Sequence, residues 1–238
     1  MAMHQTLLFV YARAGDIILG ADGRATTSTG AFHSDSAKKL VITGPNSACA
    51  IGGYCEGTSH DGPHQGRHWR LLDALEAIHH LVGLSPISRA RFLFETAYKS
   101  AAEFLPHDTD AGEEGTHTTG ITVVHAELRK NGVFIYRADM PMTVTKGARF
   151  RWSVDRPVVR SISTGPIVEP FVYLHYPERR VPLSLAPPTD EIALRGLEQF
   201  IGSLGVTDRP DAVGGDVSGI RIDGAGSRWL TTRTGHLS

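Results

Sequence analysis

The sequence predicts an α+β fold, a four-layer αββα sandwich in which two packed sheets lie between helix layers, as a single domain over residues 1–238. Three observations predict it. Apolar runs with little polar alternation fill the N-terminal segment, as expected of strands covered on both faces. The hydrophobic period then switches between strand-like and helix-like, giving the order strands, two helices, strands, two helices, strands. No internal repeat, low-complexity tract or linker breaks that order.

The elements follow in turn. TLLFVYA (6–12) and IILGA (17–21) are strand-like runs split by the turn residues Ala14-Gly15-Asp16. KKLVIT (38–43) and SACAIGG (47–53) flank Gly44-Pro45-Asn46 and read as a second hairpin. From Trp69 the apolar positions Leu72, Leu75, Ile78, Leu81 and Val82 recur at helical spacing. Ser85 is placed to cap a second helix with Pro86 in its first turn. Its apolar face is Phe94, Ala97, Ala101 and Phe104, Pro106 ends it, and 106–117 is a polar loop. GITVVHA (120–126) and GVFIYRA (132–138) form a hairpin through Lys130-Asn131-Gly132, and VVRSIST (158–164) is a further strand. A helix is expected near 168–175. Another is expected over 189–205, with Ala193, Leu197, Phe200, Ile201 and Leu204 on one face and Gly205 as its stop. GGDVSGIRI (214–222) and SRWLTT (227–232) close a last hairpin around Asp223-Gly224.

Composition excludes several classes. A hydrophobic share of 41%, a charged share of 21% and a net charge of -1 are those of an ordinary globular chain. No basic platform for nucleic acid or for an anionic membrane surface is present. Cys49 and Cys55 are the only cysteines, which rules out a disulfide framework and suits a reducing cytoplasm. The apolar runs are too short to span a bilayer, and MAMHQTLLFVYARAGD lacks the layout of a signal peptide.

One set of residues carries a more specific signal. Asp22 lies sixteen positions after Thr6, within Ala21-Asp22-Gly23-Arg24-Ala25-Thr26, and Gly53 lies fourteen positions after Lys39. Singly, each has an ordinary explanation: a β-branched residue opening a strand, a turn aspartate, a solvated lysine. Together, GDIILGADGRATTSTG, AKKLVIT and ACAIGG resemble the opening of proteasome β-subunits of the bacterial type and related N-terminal-nucleophile hydrolases. Weaker likeness runs on through SISTGPIVEPFVYL, TDEIALRGLEQF and DRPDAVGGDVSGIRI.

The resemblance implies a threonine-type amidohydrolase, a peptidase working as a self-assembling homo-oligomeric ring on peptide or protein substrates, with an unfoldase as a candidate partner. Thr6 would be the nucleophile once Met1–Gln5 is removed. Lys39 would lower the pKa of the proton-accepting amine, Asp22 would hold Lys39, and the Gly53 amide would serve the oxyanion. Asp208 and Arg24 would support them. No cofactor or metal is implied. This chain departs from the family at Gln5 and Leu7, at Gly165-Pro166 where a Gly-Ser turn is usual, and at Asp211 in place of a serine. A non-catalytic assembly subunit and an amidase of small molecules are the alternative readings. His60, His64 and His68 recur every four residues, but Gly62, Pro63 and Gly66 preclude a helix that would stack them, so a polar loop is expected. Arg149 and Arg151, and Arg179 and Arg180, read as solvated charge.

Overall fold

The computed structural model of the protein describes residues 8–23, 25–26, 32–34, 36–59, 62–78, 81, 83–105, 120–146, 150–175, 179–182, 190, 192, 195–196, 198–199 and 215–230. In chain order the first strands are β1 (Leu8–Arg13), β2 (Asp16–Asp22), β3 (Ala25–Thr26), β4 (Phe32–Ser34), β5 (Leu40–Gly44), β6 (Ser47–Gly53), β7 (Glu56–Thr58) and β8 (His68–Arg70). Helices α1 (Leu71–Glu76) and α2 (Pro86–Phe104) come next. The later strands are β9 (Ile121–Arg129), β10 (Gly132–Met140), β11 (Met142–Lys146), β12 (Phe150–Val154), β13 (Val158–Gly165), β14 (Phe171–Leu174), β15 (Arg179–Pro182), β16 (Val217–Asp223) and β17 (Gly226–Trp229).

Two antiparallel sheets dominate. One has six strands in the order β15-β14-β1-β2-β16-β17, and the other has five in the order β13-β10-β9-β6-β5. Side chains alternate as strand geometry demands. Ala48 and Ala50 of β6 and Val124, Ala126 and Leu128 of β9 meet Leu8, Val10, Ile17, Leu19, Phe171 and Ile220 of the six-stranded sheet. The intervening residues Cys49, Ile51, Ile121 and Val123 face the helices.

The expected four-layer αββα sandwich is therefore corrected. Antiparallel strands dominate the described residues, and both bounded helices, α1 and α2, lie on the outer face of the five-stranded sheet alone. The helix expected near 168–175 is instead strand β14, paired with β1 and β15. Phe171 and Tyr173 point between the sheets while Val172 and Leu174 point to the opposite face. An apolar run of four cannot reveal its period, and the aromatic and β-branched residues of FVYL favour the pleated surface. Of the 189–205 helix, Asp190, Ile192, Arg195, Gly196, Glu198 and Gln199 have helical backbone, whereas its expected apolar face lies outside the described residues.

α2 forms where expected. Ser85 Oγ accepts the Ser88 N–H at 3.2 Å, Pro86 opens the first turn, and Ala90, Leu93, Phe94, Ala97 and Ala101 make the buried stripe. α1 is shorter than its periodicity suggests, because Trp69 belongs to β8 and pairs with Gly57 of β7. That hairpin, with a turn of 3₁₀-helix at Gly62–His64, replaces most of the expected polar loop. His64 Nε2 lies 2.9 Å from Glu103 and its ring packs on Phe104, while His60 lies outside the described residues. Arg180 is exposed with its guanidinium 3.8 Å over the Phe171 ring, and Arg149 is outside the described residues.

Two phenylalanines of α2 offer a test of this layering. Phe94 is fully buried and Phe92 is 47% exposed. Phe94→Ala is expected to cost about 3–5 kcal/mol and Phe92→Ala no more than about 0.5, read from urea denaturation midpoints.

Candidate active site

β2 ends on Asp22, and β5 begins just after Lys39. The Ala37 N–H donates to the Gly23 carbonyl at 2.8 Å and draws the two segments together, while the Ile51 N–H donates to the Lys39 carbonyl at 2.8 Å and ties Lys39 to β6. Lys39 Nζ then donates to Asp22 Oδ1 at 3.0 Å. The contact joins the two sheets, since β2 belongs to the six-stranded one and β5 to the five-stranded one. Both side chains are buried, at 3% and 0% exposure. An ammonium is costly to bury without an anion, so each group justifies the other.

Gly53 ends β6, two residues beyond the partner of Lys39. Its φ is +83°, and an added Cβ would lie 1.8 Å from the Gly120 carbonyl oxygen. Glycine is thus required there by the chain's own packing against Gly120. The Tyr54 N–H donates to that same carbonyl at 3.3 Å. Cys55 follows. Burial and then Glu56 push its thiol up to about 11, against the opposing pull of Lys39 and Arg70, so it stays protonated at neutral pH. Thr6, Arg24 and Asp208 lie outside the described residues. Of the expected set, Asp22 and Lys39 meet directly, and Gly53 stands nearby along β6.

A cleft of about 500 Å³ runs beside this pair without containing it. It is lined from Ser36 to Ile42 on one side, with Lys39 absent from its wall, and by Arg70, Leu72, Glu76, Asp216, Ser218 and Trp229 on the others.

A second polar cluster went unremarked in the sequence. His125 and Glu127 of β9 share the face turned to the helices. His125 Nδ1 is 3.5 Å from Cys49 Sγ, and its Nε2 is 3.5 Å from Glu127 Oε2 without hydrogen-bond geometry. Arg129 Nε donates to Glu127 Oε1 at 2.6 Å, and Arg89 Nε lies 3.7 Å from Oε2. Burial pushes the Cys49 thiol up to about 12, so this Cys-His-Glu line holds no thiolate. Burial also lowers the His125 pKa from 6.5, outweighing Glu127, and the imidazole is neutral at pH 7. Burial alone would raise Glu127, but His125, Arg129 and Arg89 bring it below 4.5. The signal was legible: three ionisable residues, His125, Glu127 and Arg129, at alternate positions of a largely apolar strand, ITVVHAELR.

No protein-family model matches this chain, and no curated protein matches it.

Two outcomes follow from the geometry. Lys39→Met withdraws the cation from buried Asp22 and should cost about 3–5 kcal/mol, with much of it recovered in the Asp22→Asn/Lys39→Met double variant, as measured by denaturant unfolding. The second concerns pH. Above the ordinary histidine value of 6.5 both folded and unfolded His125 are neutral, and stability is full. Below it the unfolded chain takes a proton that the folded core refuses. Stability should then fall by up to about 1.4 kcal/mol per pH unit until the folded His125 itself titrates. His125→Gln should remove that slope, as seen by comparing the two proteins' unfolding free energies from pH 7 to 5.

Proposed function

We propose that the protein is a threonine-type amidohydrolase acting on peptides, with Thr6 as nucleophile after removal of Met1–Gln5. The observation that carries this reading is the buried Asp22–Lys39 pair at 3.0 Å. Thr6 precedes Leu8 by two residues, and Leu8 is the cross-strand partner of Ala21, the neighbour of Asp22. A lysine suits the role better than an arginine would, because an ammonium is a compact point charge beside which an amine pKa can be tuned.

Under this reading Thr6 Oγ1 attacks the carbonyl carbon and its proton passes to the freed α-amino group of Thr6. The positive charge of Lys39 keeps that amine a base near neutrality. The C–N bond breaks as the proton is delivered to the departing amine, and water then releases the acyl group from the ester. A backbone N–H at Gly53 would hold the oxyanion. Arg24 and Asp208 keep supporting roles. The two cysteines carry free thiols, which fits a cytoplasmic setting. None of the described helices is long and apolar enough to cross a membrane. Half-exposed Phe92 on α2 and exposed Val168 supply apolar surface for neighbours in a homo-oligomeric ring, to which an unfoldase would deliver protein substrates.

Two observations favour the second reading, a non-catalytic assembly subunit. Gly53 is explained by its contact with Gly120 without any substrate, and buried ion pairs also occur here as structural ties, as between Arg221 and Asp16 at 2.7 Å. Intact mass with and without a β-lactone or epoxyketone separates the two. The expected result is loss of Met1–Gln5 and one covalent adduct, both abolished by Thr6→Ala. A wild-type chain that keeps Gln5 and takes up no adduct refutes the hydrolase reading.

A further inference from the structure

β5 is the last strand of the five-stranded sheet, and among the described residues no strand pairs with its outer edge. The register says which groups that edge offers. Ile51 N–H donates to the Lys39 carbonyl, and Leu40 faces Ala50, Val41 faces Cys49 and Ile42 faces Ala48. In an antiparallel ladder the hydrogen-bonded pairs alternate, so Lys39 and Val41 turn their N–H and C=O groups toward β6. Leu40 and Ile42 turn theirs outward. Both line the 500 Å³ cleft, whose walls are α1 on one side and β16 and β17 on the other.

The geometry points to this cleft as a binding site for an extended peptide segment, which adds to β5 as a further strand. Three features select that ligand. Outward N–H and C=O groups at alternate residues match the spacing of a polypeptide in β conformation and of no compact small molecule. The walls balance their charge, with Lys38 and Arg70 against Glu76 and Asp216, so the site offers a dipolar backbone more than it offers an ion. Trp229 stands 43% exposed at the wall and presents a flat apolar surface to one side chain of the incoming strand. The volume falls within the roughly 300–1,000 Å³ typical of ligand sites. The site is separate from the Asp22–Lys39 pair, and the proposal does not rest on Thr6 being a nucleophile.

Amide hydrogen exchange on the full-length Thr6→Ala chain tests it, because that variant cannot consume the probe under the hydrolase reading. The probes are a pool of random-sequence short peptides and the same pool N-methylated along the backbone. In the free protein, the Val41 amide should be protected while those of Leu40 and Ile42 exchange fast. The unmodified pool should slow Leu40 and Ile42 by about tenfold or more, and shift Trp229 emission, while the N-methylated pool should do neither. Ile42→Pro removes an outward N–H and spares the ladder to β6, so it should abolish the response while Val41 stays protected. If that variant fails to fold, Trp229→Ala should weaken binding of the same pool at unchanged Val41 protection. Leu40 and Ile42 amides already as protected as Val41 in the free protein would overturn the proposal, as would no response to either pool or an equal response to both.

Discussion

The centre of the five-stranded sheet is covered on both faces, and that constraint governs most of what surrounds it. Each of its central residues must be apolar or satisfied, since water reaches neither side. β9 obeys this with Val124, Ala126 and Leu128 toward the other sheet and Ile121 and Val123 toward the helices. His125 and Glu127 are the exceptions, and they sit beneath the connection between α1 and α2. Leu81 and Leu84 lie outside the helices, so their carbonyls need donors from elsewhere. Arg89 donates to the Leu81 carbonyl at 2.6 Å, and Arg129 donates to the Leu84 carbonyl. Two partly buried guanidinium groups then gather around one buried anion, Glu127. The polar cluster thus follows from roofing a sheet with a segment that is not helical.

The same logic explains what was legible beforehand. Strands bounded by strong turns were readable, because Gly15, Gly44-Pro45-Asn46 and Asn131-Gly132 mark chain reversals whatever lies around them. α2 was readable because its cap, its first-turn proline and its buried stripe agree. The layering was not, since it depends on which face each element covers. FVYL at 171–174 has too few residues to show a period, and only its pairing to β1 and β15 makes it a strand. The short strands β7 and β8 escaped notice because Gly62, Pro63 and Gly66 dominate the segment between them. At the candidate site, the neighbouring of Asp22 and Lys39 was anticipated only through the family resemblance, since singly each residue has an ordinary explanation. That Gly53 answers to Gly120 rather than to empty space required coordinates, because no local pattern links residues so far apart.

β2 carries an aspartate at each end, and the two are neutralised differently. Asp16 receives two bonds from Arg221, at 2.9 and 2.7 Å, and Arg221 also reaches Asp190 at 2.7 Å. That planar, multiply bonded arrangement holds a permanently charged group and suits a tie. Asp22 instead meets an ammonium, a compact point charge rather than a planar fork, at 3.0 Å. One strand therefore ends in a guanidinium clamp and in an ammonium–carboxylate pair.

The Arg221–Asp16 clamp spans 205 positions of sequence, and with it β16 completes the six-stranded sheet by lying against β2. Until β16 has been synthesised, β2 presents the apolar run Ile17–Ala21 with one bare edge. The growing chain therefore carries an open template for mispairing through most of its synthesis. Closing so long a loop also slows folding, since its entropy is lost before the contacts repay it. The charged residues at the mouth of β2 and β16 give this late pairing a single register: a slip by one residue would swing Arg221 to the opposite face of its strand and away from Asp16. The register of this long-range pairing thus rests on one guanidinium together with the inward-facing Ile220 and Ile222.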